Sequence, residues 1–467
     1  MNNKPNVKFI TLGCKVNQYE TQGMREILKK AGAESVSLQE PPADVVIVNT
    51  CTVTAEADKE NRYWIRRARR ENPNAKIIVT GCGVERNRAD YESMKEVDTV
   101  LRNHEKAEIG CHLFTGHGDA ETRGHGERNI VTASPRHRVS ASDVFSLAIS
   151  ETEGAGRAFV KIQDGCNHAC SFCKVVLVRG RSRSRELKEI VQEAVRLRDS
   201  GYRELVFAGI QLGAYGLDID TEMRRHGDAE KKISLRHRVA LSPRLEDVLA
   251  ACSQIEGIER LRLSSIEPTD ISPSLIEAMK RIPKCCPQIH IPLQSGDDEI
   301  LQRMNRRYDR SFYRDLIVRL RAAWPDFCLT LDVMAGFPGE EERHFENTVE
   351  LIREIQPLKC HVFPYSRREG TRAAKFSEVP PAVIRERVKR LIAEAQEMSV
   401  KVRQPYLGKT VPILTESFKD KSGLLQGLAP NYLKVYFPGF KDQIGQIVPV
   451  KLISLHEDGF LGARAES

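Results

Sequence analysis

Along the first hundred residues, short apolar runs alternate with longer polar stretches of helical character. VKFITLGC predicts a strand followed by a helix over 17–31, DVVIVNTC a strand followed by a helix over 55–71, and KIIVTGC a third strand. Alternation of this kind predicts a parallel sheet with helices packed on its faces. Each run ends at a cysteine: Cys14, Cys51 and Cys82. Strand C-termini of a parallel sheet lie along one edge, where ligands bind. Three thiols far apart in the chain are therefore expected at one point, as a shared metal site. The competing reading is that a small buried thiol simply suits a strand end.

A second alternating run starts near Ala158, with apolar segments FVKIQDG, ELVFAGI, RLRLSSI, QIHIPLQS, CLTLDVMAGF and CHVFPYS and helices over 186–200, 274–281 and 341–355. Six strand–helix units predict an open or partial barrel, since a closed one takes eight. PPAVIRERVKRLIAEAQEMSVKVR then predicts a long charged helix opened by its two prolines. Beyond Gln404, five short apolar runs separated by Gly, Pro and Asp predict a small β-barrel of the OB type, a fold that binds oligonucleotides. The expected fold class is α/β. Residues 1–110 form an N-terminal parallel α/β domain, 111–154 a linker with an insert, 155–403 a partial (β/α)6 barrel with an insert loop over 221–243, and 404–467 the small barrel. HGDAE occurs at 117–121 and 226–230, and RHRV at 136–139 and 236–239. Their unequal spacing excludes a solenoid repeat, and their composition reads as inserted surface loops.

Bulk properties narrow the function. A chain of 467 residues exceeds one ordinary core. No apolar run reaches the roughly 18 residues that span a bilayer, and the N-terminus lacks a secretory signal pattern. A cytoplasmic protein without a membrane partner is expected. The net charge of +8 permits a polyanionic partner without requiring one. Twelve cysteines in such a chain point to metal binding or burial rather than disulfides.

The chemistry concentrates in QDGCNHACSFCKVVLVRGRSRSR, where Cys166, Cys170 and Cys173 follow the first barrel strand directly. That position is the top face, where barrel chemistry is done. A closed zinc site takes four ligands, and the nearest fourth, His168, sits awkwardly inside the loop. Thiolates suit iron–sulfur clusters. Three of them leave one iron of a cube open for a bidentate ligand such as the amino and carboxylate groups of S-adenosylmethionine, whose reductive cleavage yields a 5′-deoxyadenosyl radical.

CxxxCxxC at this place resembles the radical-SAM enzymes. Together with TLGCKVNQYET, VNTCTVTAEAD, RGRSRSRE, SSIEP, HIPLQSG, GFPGE and NYLKVYF, it is similar to the tRNA methylthiotransferases, above all the branch acting on threonylcarbamoyladenosine. The resemblance covers nearly the whole chain outside the two HGDAE inserts. It implies two 4Fe–4S clusters, an auxiliary one on Cys14, Cys51 and Cys82 and a catalytic one on Cys166, Cys170 and Cys173. It also implies S-adenosylmethionine as cofactor and a C-terminal TRAM domain that binds RNA. The implied reaction adds a methylthio group to C2 of N6-threonylcarbamoyladenosine next to the anticodon. The implied partners are a tRNA anticodon stem-loop, a reductant such as flavodoxin or ferredoxin, and a sulfur donor. The alternatives are methylthiolation of isopentenyladenosine or of a ribosomal-protein aspartate, or, in another class, a non-catalytic RNA-binding protein with structural zinc. The chain departs from the family pattern at Gly83, where an aromatic is usual, and at Val175 and Val176, where Ile-Pro is common.

Phe172 matches a position that packs near the cofactor's adenine. Glu267, Gln294 and Ser295 end strands at the top face and are expected to contact the cofactor. Gly209 and Gly336 are expected to let backbone approach it. Arg179, Arg181, Arg183 and Arg185 form a basic run suited to phosphate or carboxylate, with Arg181 and Arg183 assigned to RNA. Tyr432, Lys434 and Tyr436 are expected to alternate on one strand and share a face, with Tyr432 and Lys434 contacting RNA. No single catalytic side chain is assigned. Cys111, Cys252, Cys285, Cys286, Cys328 and Cys360 match no ligand position, and burial accounts for most of them.

Overall fold

The computed structural model describes residues 4–37, 42–52, 55–113, 144–151, 156–218, 243–419 and 423–465. Both HGDAE and both RHRV segments lie outside the described residues. The chain divides into two compact units, Met1–Ile149 and Ser150–Ser467.

In the first unit, β1 (Asn6–Thr11), β2 (Glu34–Ser35), β3 (Val45–Thr50), β4 (Lys76–Gly81) and β5 (Thr99–Val100) form one sheet in the order β2-β1-β3-β4-β5. Every described pairing in it is parallel. All six residues of β3 are buried, as expected for a parallel strand covered on both faces. The covering helices are Lys15–Lys30 and Ala55–Glu71. Ile65 and Ala68 of the second pack on Val46, Val48, Ile77 and Val79. Behind the first helix, the buried Lys106 ammonium meets Glu20 at 2.5 Å.

The second unit opens with β6 (Arg157–Lys161), followed by a small ribbon of β7 (Gln163–Asp164) and β8 (Arg183–Ser184). With β9 (Glu204–Ala208), β10 (Arg260–Leu263), β11 (Gln288–His290), β12 (Cys328–Ala335) and β13 (Lys359–Pro364), β6 makes six parallel strands laid side by side in chain order. The ladders β6-β9-β10 and β11-β12-β13 are joined by parallel bridges at Leu261–Cys285 and Ser265–His290. Side chains alternate across each strand. Leu205, Phe207, Leu261, Leu263, Leu329 and Leu331 are almost fully buried on one face. Glu204, Arg262, Gln288, His290, Thr330 and Asp332 share the other. The lumen is thus polar, unlike the branched aliphatic filling of a closed barrel.

β14 (Thr410–Lys419), β15 (Leu424–Leu428), β16 (Lys434–Pro438), β17 (Ile447–His456) and β18 (Gly459–Arg464) close into a barrel in the order β14-β15-β16-β18-β17. Its core of Ile413, Leu425, Val435, Phe437, Val450 and Phe460 is continuous with Cys328 and Leu358 of the larger barrel. Three buried arginines bind the seam. Arg260 donates to the carbonyls of Leu428 and Pro412 at 2.9 and 2.8 Å, Arg262 to that of Pro430 at 3.0 Å, and Arg403 to that of Gly459 at 2.6 Å. Arg262 also pairs with the buried Glu204 at 2.6 Å. Burial pushes the Glu204 carboxyl up, but the guanidinium groups of Arg262, Arg157 and Arg260 outweigh it and hold it below the ordinary range.

The shared face expected for Tyr432, Lys434 and Tyr436 forms only in part: Lys434 and Tyr436 alternate on β16, with the Lys434 ammonium 4.9 Å from the Tyr436 ring, and Tyr432 lies off it. β16 begins at Lys434, and Tyr432 precedes it with φ +75°. Its ring lies 5.2 Å from the Arg262 guanidinium, against the seam. Tyr436 is buried, with its hydroxyl donating to Asp458 at 2.9 Å. Lys434 pairs with the same Asp458 at 3.4 Å.

Candidate metal centres

In the first unit, three loops are fastened at the C-terminal edge of the sheet. Gly13, at φ +96°, lies so close that a Cβ on it would stand 2.6 Å from the Cys51 sulfur. The segment carrying Cys14 therefore runs directly against Cys51. Gly81, at φ +104°, would meet the Thr50 carbonyl at 2.4 Å, which brings the Cys82 segment against the end of β3. Asn17 ties two of these ends by donating to the carbonyls of Leu12 and Thr50 at 2.7 and 3.0 Å. Asn61, fully buried, accepts from the Cys51 amide at 3.1 Å and donates to the Cys51 carbonyl at 2.6 Å. Thr50 donates to the Thr80 carbonyl at 2.6 Å and accepts from the Gly83 amide at 3.2 Å. Cys14 caps the helix Lys15–Lys30 and is exposed, Cys82 opens the helix Cys82–Arg86, and Cys51 and Cys82 are buried. Each cysteine follows its strand rather than ending it. The departure at Gly83 has a cause in the same place. A Cβ there would stand 2.5 Å from the Tyr91 hydroxyl, which in turn accepts from Asn61 at 3.1 Å.

The second trio is made by one loop. Gly165, at φ +74°, passes so near Arg181 that a Cβ would sit 2.0 Å from its carbonyl oxygen, and the Cys166 amide donates to the Gly180 carbonyl at 3.1 Å. Gln211 accepts from the Asn167 amide at 3.0 Å. Asn305 donates to the Ala169 carbonyl at 2.7 Å. The Ser171 amide and carbonyl bond to the backbone of Met304 and Ala373 at 2.9 and 2.8 Å. Burial pushes the Cys166 thiol up to about 12, so metal must displace its proton. Arg306, its side chain nearly buried, donates to the Cys170 sulfur at 3.2 Å and pairs with Glu267. A guanidinium held against a sulfur suits a thiolate.

Among the described residues, no group of three or more His, Cys, Asp or Glu forms a site for a single metal ion. The ligands of a cube each bind a different iron, so they stand further apart than ligands sharing one ion. Two buried oxygens at the top of the barrel, Ser171 Oγ and Gln294 Oε1, have no hydrogen-bond partner. Buried polar atoms are ordinarily paired, so these two suit a polar group brought by a cofactor.

The other expected positions divide. Phe172 packs beside Phe337, with ring centroids 6.4 Å apart, in a cluster with Met334 and Phe363. Gln294 has φ +64°. Ser295 is fully buried and lies 3.4 Å from the Thr348 hydroxyl on the helix Glu342–Ile355. Gly336, at φ +76°, is crowded by Ile384, 2.4 Å from where a Cβ would stand. The helix Pro381–Arg403 thus packs directly against that glycine. Gly209 is crowded by Gln163 in the same way, at 2.9 Å. In the basic run, Arg179 pairs with the buried Asp164 at 3.0 Å and Arg185 with Glu193 at 2.9 Å. Arg183 donates to the Arg179 carbonyl, and Arg181 is exposed. Sequence reasoning missed Arg306, Asn61 and Gln211. Gln211 and Arg306 act on a loop remote in the chain and Asn61 on one ten residues before it, and nothing local marks them.

The family described as Radical SAM superfamily matches residues 160–352, and Uncharacterized protein family UPF0004 matches residues 6–102. The chain is 37% identical over 451 residues to the threonylcarbamoyladenosine tRNA methylthiotransferase MtaB of Bacillus subtilis, covering 96% of this chain and 93% of that one. It is 33% identical over 473 residues to a tRNA-2-methylthio-N(6)-dimethylallyladenosine synthase of Clostridium botulinum, covering 97% and 95%. Among solved structures, the radical S-adenosylmethionine methyltransferase TsrM of Kitasatospora setae aligns with a TM-score of 0.52 at 16% identity, over 85% of this chain and 89% of that one, a likeness of fold. By full-length similarity to relatives of both names, the chain belongs to the radical-SAM tRNA methylthiotransferase family.

Proposed function

We propose that the protein adds a methylthio group to C2 of N6-threonylcarbamoyladenosine next to the anticodon of tRNA. The observation that carries this reading is the pairing of full-length similarity to enzymes of that name with two separate cysteine trios, each carried on the strand-end loops of a parallel sheet. Cys166, Cys170 and Cys173 would hold one 4Fe–4S cluster, with S-adenosylmethionine on its open iron, and Cys14, Cys51 and Cys82 the other. When bound, these groups supply a carbon radical and a transferable sulfur, the hard steps of the reaction.

The chain's own residues supply placement. Gln211, Asn305 and the Ser171 backbone bonds fix the loop from both sides. Arg306 offsets thiolate charge at Cys170 and holds Glu267 in the same grip. Gln294 and Ser171 present buried oxygens to the cofactor's polar groups. Arg181 and Lys434 offer cations to the RNA backbone, and the exposed Phe440 of the small barrel, a TRAM domain in this reading, offers a stacking face. A cytoplasmic setting follows from the tRNA substrate, and no described helix is long and apolar enough to cross a membrane. A low-potential reductant such as flavodoxin or ferredoxin and a sulfur donor complete the requirements.

The test is mass spectrometry of tRNA nucleosides after expression in a strain lacking the modification. Appearance of 2-methylthio-N6-threonylcarbamoyladenosine is expected. A product on dimethylallyladenosine instead would assign the protein to its other relatives, and unchanged tRNA would defeat the reading.

A further inference from the structure

The lumen carries a cluster of ionisable groups that neither trio uses. Nε2 of His290 on β11 lies 3.1 Å from the Asp332 carboxylate on β12. Its Nδ1 meets Thr330 at 3.1 Å. Thr330 also accepts from Gln288 at 3.0 Å, and Gln288 accepts from Arg262 at 3.0 Å. This chain of bonds fixes the imidazole from the seam upward. His361 on β13 stands opposite Asp332 in the ladder, with its ring 5.7 Å from that of His290. Asp332 and His290 keep 26% and 17% of their side-chain surface open, and His361 is exposed on an edge strand.

Two residues further along the same strand faces come Met334 and Phe363. They pack in the cluster that holds Phe172, between Cys170 and Cys173. Two strand residues advance roughly 7 Å. The His–Asp–His cluster therefore lies one layer below the cysteine loop and faces the same lumen, beside the side of the sheet left open between β6 and β13.

We infer that His290, Asp332 and His361 read the polar N6 substituent of the substrate adenosine. This rests on the function proposed above. Asp332 accepts from the hydroxyl and N–H groups of a threonylcarbamoyl chain, and His361 donates to its carboxylate. A dimethylallyl chain offers neither, and would desolvate Asp332 with His290 as its one partner in the cluster. A site built for hydrogen bonds rejects an apolar analogue far more strongly than an apolar pocket rejects a polar one.

The experiment uses reconstituted full-length enzyme and two synthetic anticodon stem-loops, one with N6-threonylcarbamoyladenosine and one with dimethylallyladenosine. The wild type is compared with His361→Ala, His361→Gln and Asp332→Asn. The expected result is a wild-type preference for the first loop in kcat/KM that falls at least about tenfold in His361→Ala. The loss should appear mainly in KM, with partial recovery in His361→Gln. Iron content and RNA-independent release of 5′-deoxyadenosine should stay at wild-type levels, which a folding defect would not allow. A wild type that prefers the first loop, with variants keeping the same preference, overturns this inference alone. A wild type that modifies only the second loop, or neither, overturns the proposed function and this inference with it.

Discussion

The two cysteine trios reach similar ends by opposite means. Cys166, Cys170 and Cys173 come from eight consecutive residues, and a local turn nearly suffices to gather them. Cys14, Cys51 and Cys82 come from three strand ends spread over 69 positions of sequence, and only the completed sheet brings their loops together. The first trio is thus a property of a loop, and the second a property of a fold. Their supports differ accordingly. The loop is held by polar contacts from outside it, such as Gln211, Asn305 and Arg306. The sheet edge is held from within by Asn17, Asn61 and Thr50 bonding to the backbone beside the three cysteines.

The contrast can be broken most severely at the cysteines. Cys170→Ala is expected to abolish methylthiolation and 5′-deoxyadenosine release, and to leave roughly four of about eight irons. Cys51→Ala should abolish methylthiolation at the same iron count while release continues. Equal effects of both on release, read by chromatography, would erase the division of labour. Next come the supports. Asn61→Ala strands the buried Cys51 amide and carbonyl and should cost about 2–4 kcal/mol in denaturant unfolding of the first unit. Asn305→Ala, at an exposed position, should cost about 1 kcal/mol or less.

A third measurement sharpens the comparison by acting on neither trio. Glu204 has its folded pKa depressed by Arg262, Arg157 and Arg260. Its contribution is therefore complete above the unfolded value near 4.5 and is lost as pH falls through the lower folded value. Glu204→Gln should destabilise the second unit at pH 7 and flatten its acid unfolding below pH 4.5. An acid transition unchanged in Glu204→Gln would remove the seam from the account. The smallest effect is expected at Arg181→Ala, which should leave turnover on saturating tRNA unchanged and reduce the salt slope of binding by about 0.7–0.9.

Legibility followed the same divide. The strand runs, the loop trio and the closed five-stranded barrel could be read from apolar spacing and punctuation, because each is written in consecutive residues. The placement of the Cys14, Cys51 and Cys82 loops at one sheet edge could be read only as a topological rule about strand ends. Gly336 and Ser295 are hard to read because a glycine or serine after a strand looks the same whether a cofactor or a helix stands beside it. Ile384 and Thr348 are the neighbours the fold sets beside them. Tyr432 misled because alternation was counted two residues before β16 begins. Arg306 was invisible for a plainer reason: its sulfur partner lies 136 residues earlier.

The buried arginine seam has a mechanical corollary. Because Arg260, Arg262 and Arg403 clamp carbonyls of the small barrel onto the floor of the large one, the two cannot swing independently without stranding charge. In the function proposed above, nucleic acid gripped by the small barrel would be held at a constant offset from the lumen, and the protein would measure its target like a fixed-gap caliper. A nucleoside at the wrong reach from that grip would go untouched, whatever its chemistry.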